Sequence, residues 1–129
     1  MNLEPIAQYL EDNGCGKQGV SIFVGQMPVD KTGILLKPPY RGTEINYELP
    51  NYFKGEFALI VRGKGAAATE KVMAGVMKFF SIQSDTQIGN MAVKYLRART
   101  LPVSYPIPAS GLQEVVANID CCFVLTYDK

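Results

Sequence analysis

The chain has 129 residues, 47% of them hydrophobic and 19% charged, a composition that argues for a folded domain with a sizeable core and against disorder. Thirteen basic and twelve acidic residues leave a net charge of +1, too even a balance to drive binding to phosphate backbones or acidic membranes. The sequence holds no histidine, which removes imidazole acid–base catalysis and Cys–His nucleophile pairs together.

Leu3, Ile6, Ala7 and Leu10 share one helical stripe, so residues 2–12 are expected to form a short amphipathic helix. Asn2 is placed to cap it, Pro5 falls in the first turn where a missing N–H costs little, and Asn13-Gly14 supplies the stop. This opening does not read as a signal peptide, because Glu4, Glu11 and Asp12 interrupt its apolar residues. No run approaches the roughly 18 apolar residues of a membrane helix.

Gly19–Val24 and Gly33–Lys37 read as strands. Residues 37–54 hold Pro38, Pro39, Gly42 and Pro50 among Tyr40, Tyr47, Tyr52 and Phe53, which predicts an extended excursion with a short strand at Glu44–Tyr47. Glu56–Arg62 is a strong strand whose centre is nearly all apolar. After Gly63-Lys64-Gly65 the period changes. Val72, Met73, Val76, Met77, Phe79 and Phe80 form a broad stripe that predicts the main helix over Ala66–Ser81.

Gln83–Asn90 is polar and turn-like. Strict alternation over Met91–Arg99 predicts a strand with Met91, Val93, Tyr95 and Arg97 on one face and Ala92, Lys94, Leu96 and Ala98 on the other. Leu101–Pro108 carries three prolines and cannot pair as a central strand. Gly111–Val116 reads either as one helical turn or as the start of the last strand, Ile119–Tyr127. In that strand Ile119, Cys121, Phe123, Leu125 and Tyr127 point one way and Asp120, Cys122, Val124 and Thr126 the other. Together the elements predict an α+β fold: a single domain, residues 1–129, with a mostly antiparallel or mixed sheet of about five strands and two helices packed on it.

Little of this carries chemistry. Gly14-Cys15-Gly16-Lys17-Gln18-Gly19 matches G-x-G-x-x-G, but a helix precedes it and a strand follows. No helix N-terminus is then available for a pyrophosphate, so the motif is a flexible turn. Cys15, Cys121 and Cys122 form no C-x-x-C, the last two are expected on opposite strand faces as small packers, and reduced thiols made inside a cell are expected. No metal and no cofactor are expected. Arg62, Lys64, Arg97 and Arg99 are the basic residues that stand out, as lining for a passage or as partners for a neighbour's carboxylates. Ordinary surface charge is the plainer reading for them.

The order of these features resembles the minor capsid or tail terminator proteins of long-tailed bacteriophages. Two stretches carry the likeness in residues: Phe23-Val24-Gly25-Gln26-Met27-Pro28 and Phe57-Ala58-Leu59-Ile60-Val61-Arg62-Gly63, the latter followed at once by an alanine-rich helix. The resemblance implies a non-enzymatic virion protein that forms a ring, a hexamer in that family, at the head-proximal end of the tail. There it would stop tube growth and join the tail to the head connector. It implies as partners further copies of itself, the tail tube protein and the connector or stopper protein, with DNA only passing through. It implies neither membrane nor specific nucleic-acid binding, and synthesis in the host cytoplasm. On this reading Tyr40, Arg41, Tyr47, Tyr52 and Tyr105 are candidate contacts between subunits or with the tail, and Arg62, Lys64, Arg97 and Arg99 candidate channel or inter-subunit charges. A head-completion or connector adaptor, and a small cellular α+β binding domain, are the alternatives.

Overall fold

The computed structural model describes residues 2–38, 43–45, 48–49, 51–107 and 111–125. Helix α1 (Glu4–Asp12) comes first, then β1 (Ile22–Val24), β2 (Gly33–Lys37), β3 (Glu44–Ile45) and the long β4 (Tyr52–Lys64). Helix α2 (Ala66–Met77) leads into β5 (Ser81–Ile82), β6 (Thr86–Ile88), β7 (Met91–Ala98), β8 (Val103–Ile107) and β9 (Leu112–Leu125). The α+β class is as the sequence predicts. The sheet is larger than about five strands: it has nine among the described residues, ordered β1-β2-β4-β9-β7-β5, with β3 beside β4, β6 beside β7 and β8 beside β9. It is mixed, since β1 and β2 run parallel and the other pairs antiparallel.

The centre of the sheet is the ladder between β4 and β9, unbroken from Tyr52 opposite Val124 to Lys64 opposite Leu112. It settles the segment the sequence left open. Gly111–Val116 is no helical turn beyond Gly111; Leu112–Val116 begins β9, because β4 offers a backbone partner to each of those residues. For the same reason β4 starts at Tyr52, four residues before Glu56, where the sequence begins it. Strands β5 and β6 lie in or beside the polar stretch that reads as turn. They form because β7 presents an edge whose N–H and C=O groups need partners.

Strand β7 departs from strict alternation. Its register against β9 shifts between Val93 and Tyr95, a bulge that takes Lys94 out of the ladder. Past the bulge every side chain changes face. Met91, Val93 and Leu96 are buried in the core, whereas Tyr95 and Arg97 stand opposite Cys122 and Asp120 on the other side of the sheet. The expected grouping of Met91, Val93, Tyr95 and Arg97 on one face therefore holds only for its first half. In β9 the alternation is regular: Ile119, Cys121 and Phe123 turn inward and Asp120, Cys122 and Val124 outward.

Both helices close the inward face. Ile6, Ala7 and Leu10 of α1 and Met73 and Val76 of α2 join one core with Leu36, Phe57, Leu59, Val61, Val115 and Ile119. Helix α1 begins at Glu4, two residues later than the expected start, with Leu3 at the N-cap; Asn2 Oδ1 still accepts from the Glu4 backbone N–H at 3.0 Å, and Pro5 sits in the first turn. Helix α2 stops at Met77, short of the expected Ser81. Turn bonds from Phe79 N–H to Val76 O and from Phe80 N–H to Met77 O still swing the Phe80 ring under the sheet, 5.8 Å from Phe57. Val72, counted in the apolar stripe, lies at its margin and is 50% exposed. The turn between β6 and β7 needs Gly89: its φ is +58°, and a Cβ there would meet Pro5 Cβ at 2.8 Å.

Candidate functional site

Among the described residues both helices pack on the inward face, and the register dictates what the other face of the sheet displays. Directly opposed residues share a face, so Leu35, Ile60, Val116 and Val103 form one apolar row across β2, β4, β9 and β8. The neighbouring row is Gly33, Arg62, Glu114 and Tyr105. Further along stand Glu56, Asp120 and Arg97, then Lys54, Cys122 and Tyr95.

This face collects several of the residues singled out in the sequence. Arg62 is 14% exposed and fully engaged. Its Nε and Nη2 reach Glu114 Oε2 at 3.1 Å, while Nη1 donates to Pro28 O at 2.8 Å. The guanidinium thus holds the loop after β1 against the sheet, and Met27 of that loop is buried. Lys64 ends β4, exposed, beside a groove of about 470 Å³ that it shares with Thr32, Gly33, Arg62 and Val72. Arg97 is exposed and lies over the Tyr95 ring, 4.5 Å from its centre. Arg99 follows β7 and pairs with Glu56 and, at 3.3 Å, with Asp120. The two arginines share this face, as their spacing predicts, but Arg62 and Arg99 already have carboxylate partners within the chain.

Tyr105 projects from β8 and is 53% exposed, beside Val103 at 49%. Tyr52 opens β4, half-buried, and the neighbouring Cys122 thiol pushes its hydroxyl's pKa up. Tyr40, Arg41 and Tyr47 lie outside the described residues. Sequence reading missed the roles of Glu56, Glu114 and Asp120. Their roles come from cross-strand register, which no local spacing records; an acidic residue on each of two alternating strands was the sole trace.

Burial pushes the Cys121 thiol up to about 12, which keeps it protonated and inert. Burial also raises the Cys15 thiol and the Tyr9 and Tyr95 hydroxyls. Among the described residues no three metal-ligating side chains converge, and no helix is long and apolar enough to cross a membrane.

Comparison with known proteins gives the fold a family. A protein in the solved virion of a native gene transfer agent particle superposes with a TM-score of 0.61 at 12% identity, over 82% of this chain and 80% of its own. A second solved chain superposes with a TM-score of 0.52 at 14% identity, over 98% and 92%. At such identities the likeness is one of fold. No curated protein matches the sequence. The sequence profile described as bacteriophage tail terminator protein matches residues 9–124, from the middle of α1 to the end of β9, and the chain belongs to that family of structural tail proteins.

Proposed function

We propose that the protein closes the head-proximal end of a phage tail tube as a ring of identical subunits, stopping tube growth and offering the head connector a new surface. The observation that carries this is the family match over residues 9–124, which takes in the second half of α1, all of α2 and the whole central ladder. The physical requirement is modest. A tube's last ring presents the same surface as every ring below it, so a terminator must fit that surface and differ on its far side. A head-to-tail contact repeated about an axis closes when the rotation permits.

In this reading the contacts come from exposed and half-buried side chains on a preformed sheet. Tyr105, Tyr52 and Arg97 supply large, stiff or stacked groups that lose little freedom on docking. Lys64 offers charge to the ring's neighbours or its bore. Arg62 and Arg99 act from within, fixing the face rather than reaching across it. Tyr40, Arg41 and Tyr47 belong to the same proposal on sequence grounds alone. Its place in the particle is the junction of tail and head, with the tube protein below and the connector above.

The test is a tube-polymerisation assay. Tube protein assembled with this chain should give tubes of bounded length that carry it at one end and sediment with it. Tubes that grow equally long with and without it would overturn the reading. Sedimentation with portal-bearing heads and not with tubes would assign it to the connector side instead.

A further inference from the structure

β8 is the longest strand of the sheet whose outer edge has no partner strand among the described residues. Such an edge ordinarily recruits other strands, because its N–H and C=O groups seek partners. At the other end of the sheet, β1 is already closed by its own loop: Ile22 N–H donates to Lys17 O, and Gly19 N–H donates to Ile22 O.

The backbone direction in β8 follows from its partner. Asn118 of β9 accepts from Arg99 N–H at 2.7 Å, and its own N–H donates to Thr100 Oγ1 at 3.2 Å, so both its polar groups face β7 and β8. Leu125 N–H donates to Asn51 O, on the β4 side. Backbone groups alternate along a strand, so Val116, Glu114 and Leu112 also face β8, and the residues opposite them, Val103, Tyr105 and Ile107, turn inward to meet them. Ser104 and Pro106 are left to aim outward. Pro106 has no N–H, and Pro102, just before the strand, has none either. The outer edge therefore offers carbonyl oxygens and a single donor, Ser104 N–H.

We infer that the outer edge of β8 is closed to strand addition, so that copies of this chain, and any partner met on this side, are engaged through side chains and not by extending the sheet. The alternation of proline with inward-bonded residues gives β8 one fully paired edge and one that cannot complete a ladder. This does not rest on the proposed function; it would hold for any role.

Amide hydrogen exchange on the wild-type protein reads it directly. Ser104 N–H should exchange as freely at high protein concentration, and in any assembled form, as in dilute solution. Gain of protection at Ser104 on association would overturn the inference. The gain-of-function arm is Pro102→Val with Pro106→Val, which restores outward donors without altering the inward ladder. The double variant should associate with rising concentration in sedimentation velocity, and the further change Ser104→Pro should reverse this. If the double variant keeps its fold by circular dichroism and sediments like the wild type, the inference fails. If it does not fold, Pro106→Val alone is compared in the same way, and its sedimenting like the wild type would equally sink the idea.

Discussion

Glu56 and Asp120 stand directly opposite each other across β4 and β9, two carboxylates in register on the face turned away from the helices. Like charges so placed repel, and Arg99 reaches both. Arg99→Met should therefore destabilise the fold by about 0.5–1 kcal/mol, a modest figure because the arginine side chain is 54% exposed. Added Asp120→Asn should recover part of the loss, and the double-mutant cycle in urea should show the two changes to be coupled. Additive effects would mean that the cluster is incidental.

Arg62 makes a stronger case. Its fork serves Glu114 and the carbonyl of Pro28 at once, and lysine has no fork. Arg62→Lys should cost about 1.5–3 kcal/mol, in the range of hydrogen bonds to charged groups. Limited proteolysis should then cut within residues 26–32 sooner than in the wild type. Unchanged melting and cleavage would show that the loop is held by Met27 alone.

Packing sets a larger scale. Phe57 is 1% exposed and its ring meets Phe80 at 5.8 Å. Phe57→Ala should remove about 3–5 kcal/mol, a large part of the total stability of a domain this size. Gly33→Ala should also be severe, by a different route. Its φ is +143°, and a Cβ there would lie 2.4 Å from the Ser21 carbonyl oxygen, so the parallel β1–β2 pair would have to part. Equilibrium unfolding of both variants checks the ranking against Arg99→Met.

The thiol of Cys121 predicts the alkaline limb of stability. It titrates near 9 when exposed and is pushed up to about 12 in the fold. Between those values the unfolded chain has lost a proton that the native one keeps, so stability is intact below pH 9 and falls as pH rises toward 12. The slope is at most about 1.4 kcal/mol per pH unit from this group. Cys121→Ala should flatten the fall between pH 9 and 10.5 when urea midpoints are compared. Tyr9 and Tyr95 bend the curve the same way, since their hydroxyls are raised too.

Contact predictions concern residues that the fold does not need. Tyr105→Ala removes a side chain that is 53% exposed, so melting should shift little while attachment to tail tubes weakens. Normal tube capping by this variant would remove β8 from the proposed interface.

What the sequence made legible is local, and what it hid is long-range. β2 appears with its bounds, because Gly33 and Pro38 punctuate it. The inward and outward sets of β9 from Ile119 to Val124 follow from alternation alone. The prolines of Leu101–Pro108 rule out a central strand, and Val103–Ile107 indeed lies at an edge. The bulge at Lys94 left no such mark: Lys94 fits strict alternation, and only the register with Phe123 and Cys122 exposes the slip. The short β5 and β6 exist by virtue of β7. Of the candidate site, the shared face of Arg97 and Arg99 was readable, but the carboxylates that claim Arg62 and Arg99 come from strands far along the chain.

The unbroken rungs between β4 and β9 bear on mechanics. A force pulling along those strands would load every rung from Tyr52 to Lys64 at once, so they would have to shear together, whereas a force across them would peel one rung at a time. A subunit with such a spine is tough along one axis and weak along another. The direction in which a joint is strained then decides how much it withstands.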